Sequence, residues 1–194
     1  MSRKQTSVNS ILDDLDALAE GEDDVTIDDV VEALGGRGFG PLILLPALLV
    51  ITPLGGIPGF PTVMAVLILL FAVQVLAGKQ RLWVPGFLGK RGVSDDRVRA
   101  SAKKLRPVGR WLDDHMGQRL DQLVSGPMPK VAAGVIMALC LLVPPSEVLP
   151  FAAFLPMGAI ALLALALTLR DGVVMLLGLI LSAVALYLVW SWAI

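Results

Sequence analysis

The sequence predicts an all-α fold: a polytopic helical membrane protein with two repeats of short, Pro/Gly-broken helices and additional amphipathic surface helices. Three observations carry this. Of 194 residues, 56% are hydrophobic and only 17% are charged, against roughly a quarter charged in ordinary soluble domains. The charge is segregated: residues 1–40 hold ten acids and three bases, and residues 79–130 hold twelve bases and five acids. The other two blocks, 41–78 and 131–194, contain one Arg and two acids between them. Long apolar blocks almost free of charge are what a bilayer selects for.

These shifts divide the chain into four parts: acidic amphipathic helices (1–40), a first membrane repeat (41–78), basic cytoplasmic or interfacial helices (79–130), and a second membrane repeat with a terminal transmembrane helix (131–194). In the head, SVNSILDDLDALAE places Val8, Ile11, Leu12 and Leu15 at helical spacing, with Ser7 as a cap and Gly21 as a stop. Thr26 caps a second helix over 27–34, where Ile27, Val30, Val31 and Leu34 share a face. Such helices either fold against the membrane part or form a docking arm. GGRGFG at 35–40 has neither a preceding strand nor a following Lys-Ser/Thr, so it reads as a flexible entry to the bilayer. The first forty residues lack a signal-peptide apolar region, so the first hydrophobic block is expected to direct insertion.

That block reads as a short helix (PLILLPALLVIT), a break (PLGGIPGFP) and a helix over 62–78. Twelve to fifteen residues rise about 20 Å, less than the roughly 30 Å hydrocarbon core. Pro53, Pro58 and Pro61 with Gly55, Gly56 and Gly59 exclude a continuous helix. Lys79, Arg81 and Trp83 close the block as interfacial anchors. Outside the membrane, one helix starts at Ser94-Asp95-Asp96. Another spans about 108–124, with Val108, Trp111, Leu112, Met116, Leu120 and Leu123 on one face, suited to an anionic leaflet. The basic excess assigns this region to the cytoplasm. The second block has a short helix at 131–143, a break at 144–156 with Pro144, Pro145, Pro150 and Pro156, an apolar stretch to 169, a turn at Arg170-Asp171-Gly172, and a helix over 173–194 ending in Tyr187, Trp190 and Trp192.

A shift of 92 residues lays Pro53 on Pro145, Pro58 on Pro150 and Lys79 on Asp171, which marks an internal duplication. Backbone that leaves the helix at membrane depth needs protein or water partners, and paired broken helices build the substrate sites of many transporters. Two topologies fit. Re-entrant breaks would make the copies inverted, with a cytoplasmic C-terminus. Breaks that are plain periplasmic turns would start both copies in the cytoplasm and leave the C-terminus outside. The candidate substrate-binding residues are therefore Pro53, Gly55, Gly56, Pro58, Gly59, Gln74, Pro145, Glu147, Pro150, Arg170 and Asp171. Gln74 is an intramembrane amide that needs a partner. Glu147 is a carboxylate that is functional unless it reaches water. Arg170-Asp171 mark a membrane boundary or an ion pair.

Catalytic chemistry finds little footing. His115 is the only histidine and lies on a charged surface helix, which argues against a His-rich metal site or a Ser-His-Asp triad. Cys140 is the only cysteine, which excludes an intrachain disulfide, and it sits in an apolar helix as packing. No enzyme activity, cofactor, metal or nucleic-acid partner is expected.

Five ordered stretches, IDDVVEALGGRGFGPLILLPALL, PLGGIPG, LFAVQVLAGKQRLWVPGFL, RPVGRWLDDHMGQRL and ALTLRDGVVMLLGLIL, resemble the ExoD family of bacterial exopolysaccharide-synthesis membrane proteins. The second break departs from the family, with Pro144-Pro145-Ser146-Glu147 in place of Pro-x-Pro and small polar residues. The resemblance implies a multi-pass protein of the bacterial inner membrane that takes part in exopolysaccharide synthesis; it supplies no reaction. Three roles follow as expectations. One is a transporter-like protein handling an anionic lipid or polyprenyl-phosphate headgroup, with Arg37, Lys79, Arg81 and Arg170 nearest. Another is a scaffold or regulator of synthesis or export proteins. The third is ion or proton homeostasis through Glu147. The lipid bilayer is the expected partner, and a homo-oligomer is compatible.

Overall fold

The computed structural model describes residues 39–79, 126–147 and 152–193, the strands β1 (Asp24–Thr26) and β2 (Gly92–Ser94), and positions 13, 17, 31, 106 and 124. The five long helices are α1 (Gly40–Ile51), α2 (Phe60–Leu76), α3 (Met128–Ser146), α4 (Phe154–Leu169) and α5 (Gly172–Ala193). Beyond them, β1 and β2 pair antiparallel, with Asp24 opposite Ser94 and Thr26 opposite Gly92. The described fold is thus all-α apart from one short strand pair that joins the acidic head to the basic middle segment.

Proline placement explains the helix limits. Pro41, Pro61, Pro129 and Pro156 each stand in the first turn of a helix, where the N–H that proline lacks has no helical partner anyway. Two of them correct the sequence expectation: Pro61 and Pro156 begin helices instead of belonging to the breaks. Within the first break, Pro53–Gly56 forms a single 3-10 turn. The second break is also shorter than expected at its start. α3 runs through Pro144 and Pro145 to Ser146. The lost bonds fall in its final turns, where the Ser146 hydroxyl donates to the Val143 carbonyl at 2.7 Å and the Glu147 N–H to the Pro144 carbonyl at 3.3 Å. With 19 residues, α3 extends about 29 Å, and it is the described helix long and apolar enough to cross a membrane.

Each helix of one copy packs mainly on a helix of the other, α1 on α4 and α2 on α3, with lesser contacts within each hairpin; α5 lies on α4 and touches α3. Specific contacts set the directions. Gly40, at the start of α1, lies on Ala164 and Thr168 near the end of α4, while Gly55, just past α1, faces the ring of Phe154 at the start of α4. Glu147, at the end of α3, meets Gly59 and Thr62 at the start of α2. Both pairs are therefore antiparallel, and both breaks lie at one end of the bundle. Gly40, Lys79, Met128 and Arg170 mark the opposite end.

The duplication is written into these contacts. The same shift of 92 residues carries Gly55 onto Glu147 and Thr62 onto Phe154, so the Gly55–Phe154 and Glu147–Thr62 pairs are one contact made twice. It also carries Gly78 onto Arg170, and both adopt positive φ, 71° and 56°. Buried Ala65, Ile68, Phe71 and Ala72 correspond to buried Met157, Ile160, Leu163 and Ala164. The two hairpins are related by a pseudo-twofold axis with their breaks on the same side. This arrangement is not the inverted pair that one of the two sequence-based topologies requires.

The interior is aliphatic and rich in small residues. A methyl group at Gly40 would collide with the Thr168 hydroxyl, and one at Gly178 of α5 would lie 2.9 Å from Leu163. Small residues let helix axes approach closely where burial alone supplies little drive. The outer surface is also apolar: Val63 and Val66 on α2, Leu141 on α3 and Leu177, Ile180 and Tyr187 on α5 are all more than half exposed. Helices that are hydrophobic all round belong in a large core or in a membrane.

Candidate functional site

The break end is organised by one carboxylate. Gly59 holds φ at 84° and serves as the N-cap of α2 without a side chain to satisfy the first N–H groups. Glu147 supplies the missing acceptors from across the bundle. The Gly59 N–H donates to its Oε2 at 3.0 Å and the Thr62 N–H to its Oε1 at 2.6 Å. A negative charge at a helix N-terminus also meets the positive end of the helix dipole. The side chain is half-buried. Glu147 is the only Asp, Glu, Lys, Arg or His in residues 41–78 and 131–169, so the helix end, not a cation of these helices, compensates its charge.

The first copy does the same work without charge. Gly55 stands where a side chain would collide with the Val50 carbonyl and the Phe154 ring. Thr52 closes the end of α1 through its hydroxyl, which donates to the Leu49 carbonyl at 2.6 Å. Around these contacts Pro53, Gly56, Pro58 and Pro145 are exposed.

The opposite end carries the remaining candidates. Arg170 caps α4 in the left-handed region and is exposed. Asp171 is buried, and its Oδ1 accepts the N–H groups of Val173 at 2.8 Å and Val174 at 3.2 Å. It is therefore the N-cap of α5. Gln74 is buried near the end of α2 and donates to the Leu70 carbonyl of its own helix at 3.1 Å. Lys79 and Lys130 are exposed at this same end. The candidates thus occupy two ends of the bundle, separated by the length of α2, about 26 Å. Pro150, Arg37, Arg81 and His115 lie outside the described residues, as do the side chains of Trp190 and Trp192.

The head and the basic segment are linked by more than strand pairing. Arg106 forms an ion pair with Asp13 at 2.9 Å, and Val31 packs against the helical core. Positions 13, 17, 31 and 106 are helical; the rest of the expected surface helices lies outside the described residues.

Sequence reasoning did not find Thr62, Phe154, Gly40 or Thr168. The 92-residue offset was the available signal for the first two, because it equates Gly55 with Glu147. No residue pattern marks the backbone N–H groups that bind the carboxylate.

The described residues form two helical hairpins in tandem and a fifth helix. Residues 8–191 match the family model described as "Exopolysaccharide synthesis, ExoD". The chain belongs to this membrane-associated family, and with membership comes involvement in exopolysaccharide synthesis. No curated protein and no solved structure matches the chain.

Proposed function

We propose that this chain is a multi-pass inner-membrane protein without catalysis of its own, which serves exopolysaccharide synthesis by holding an anionic lipid headgroup of the polyprenyl-phosphate class. Lys79, Lys130 and Arg170 carry the reading: they are exposed cations at one end of a bundle whose other surfaces are apolar. The strongly basic 79–130 segment leaves and rejoins the bundle at that same end. Phosphate oxygens accept hydrogen bonds from Arg and Lys, and Arg does so bidentately.

Membrane integration is supported by the outward-facing aliphatic side chains and the small-residue helix contacts. Under the positive-inside rule the cationic end is cytoplasmic. The breaks are then plain turns on the outer side, and α5 carries the C-terminus outward. The 12-residue α1 spans about 18 Å, so its hairpin is shallow or thins the bilayer locally. Glu147 is engaged by two backbone donors, which supports a helix-capping role for it over a transport site.

The test is lipid retention by the purified chain in nanodiscs containing a polyprenyl phosphate among zwitterionic lipids. A Lys79→Gln/Lys130→Gln/Arg170→Gln variant is expected to lose at least about tenfold in retention, the scale of a lost charge-assisted contact. Retention equal to the parent chain sinks the lipid-handling role. A second reading, a scaffold for synthesis or export proteins, is favoured by the β1–β2 pairing and the Asp13–Arg106 ion pair, which tie two segments into one surface unit. It gains if deleting residues 1–34 abolishes polymer production while the triple cation variant is silent.

A further inference from the structure

The two pseudo-equivalent interfaces differ in what fastens them at the break end. On the α1/α4 side, Gly55 and Phe154 meet by close packing, and Gly40 meets Thr168 and Ala164 at the far end with no room for a methyl group. On the α2/α3 side, the corresponding position is Glu147, bound through its two oxygens to Gly59 and Thr62. Only the second of these contacts depends on charge.

We propose that Glu147 is a proton-released latch that holds the α2/α3 side of the break end closed and lets that side open when the carboxylate is neutralised. The ionised form accepts both N–H bonds and lies at the positive end of the α2 dipole. Charge-assisted bonds of this kind are about twice as strong as neutral ones. The protonated form loses the charge–dipole attraction, and the oxygen that carries the proton becomes a donor facing a donor. Among the described residues, no other group at the break end can take over the charge. The turn before α2 and its first turns (51–66), the end of α3, the linker 148–151 and the start of α4 (152–160) contain no other ionisable side chain, and Tyr187 on α5 points outward with 69% exposure. The flanking chain permits movement. Gly56, Pro58 and Pro145 are exposed, and Gly59 already holds a backbone conformation open to glycine. At the break end the α1/α4 side contains no carboxylate, the buried Asp171 lying at the opposite end of α4, so acid opens the break end on one side and leaves it shut on the other.

The proposal is tested by paired spin labels on the full chain in nanodiscs, in a Cys140→Ala background that removes the only cysteine. Labels at Ile57 and Leu141 report the latched side, and labels at Ile51 and Leu155 report the packed side. On acidification the Ile57–Leu141 distance is expected to shift beyond the width of its neutral-pH distribution while Ile51–Leu155 stays put. Glu147→Gln is expected to show the shifted distance at neutral pH and no further response to acid. An Ile57–Leu141 distance that ignores pH, an acid response retained in Glu147→Gln, or both pairs moving together overturns the latch. If Glu147→Gln loses the Ile51–Leu155 distance, it has misfolded, and the pH series on the Glu147 chain decides alone.

Discussion

The α1/α4 and α2/α3 interfaces are equivalent under the 92-residue shift and differ in chemistry. Both are antiparallel pairs between copies, and both are closed at the break end by the same two positions, 55 with 154 and 147 with 62. In one, a glycine lets backbone and ring touch. In the other, a carboxylate reaches over and caps a helix. The packed interface rests on close approach at Gly40 and Gly55, where an added methyl group would collide with its neighbours. The capped interface rests on two hydrogen bonds and a dipole, which are directional and sensitive to charge. Duplicated hairpins thus provide one fixed side and one conditional side within a single bundle.

The largest expected effect is on the packed side. Gly40→Ala forces a methyl group into Thr168 and should destabilise the bundle by about 2 kcal/mol, the usual cost of overpacking. Its counterpart under the 92-residue shift, Ala132, already carries that methyl and is fully buried. Ala132→Gly should cost no more than about 1 kcal/mol. Unfolding in mixed SDS–bicelle solutions reads both, and equal costs would erase the asymmetry between the two interfaces.

Removing the cap comes next. Glu147→Ala leaves the Gly59 and Thr62 N–H groups without their acceptor and should cost about 1–2 kcal/mol. Hydrogen exchange should speed up at the first turn of α2 before it does elsewhere in that helix; uniform protection would mean that the bonds contribute nothing. Asp171→Ala removes the buried cap of α5 at about 1 kcal/mol. Because α5 has no counterpart among the described residues of the first copy, its loss of protection should stay within α5 and its α4 contact. The smallest change is Arg170→Gly, which relieves a positive φ at a cost-free position for glycine and should gain up to about 1 kcal/mol. Gly78→Ala, at the equivalent position, should lose a similar amount.

Much of the helical order was legible because apolar runs and proline punctuation are local signals. The 62–78 helix lies at Phe60–Leu76, and the terminal one at Gly172–Ala193. The offset of 92 residues is legible as well, from Pro53 on Pro145, Pro58 on Pro150 and Lys79 on Asp171. What failed was the weight given to proline at helix ends. Pro144 and Pro145 each remove an N–H bond to the carbonyl four residues earlier, but α3 ends one residue after them, so the loss is confined to its final turns and does not break the helix before them. The β1–β2 pair was illegible, since Asp-Val-Thr and Gly-Val-Ser are too short to show alternation and their partnership is purely tertiary. Glu147 was named as a candidate with two possible fates, surface exposure or function. Its actual partners are backbone N–H groups 85 and 88 residues away in sequence, and backbone donors leave no trace in residue identity.

Orientation of the two breaks is the claim on which the rest depends. In sealed right-side-out vesicles with Cys140→Ala, single cysteines at Ile57, Pro145, Lys79 and Arg170 can be tested with a membrane-impermeant maleimide. Cysteines at 57 and 145 should both label from outside, and those at 79 and 170 only after the vesicles are opened. Labelling of 57 and 145 from opposite faces would contradict the same-sided tandem of hairpins directly.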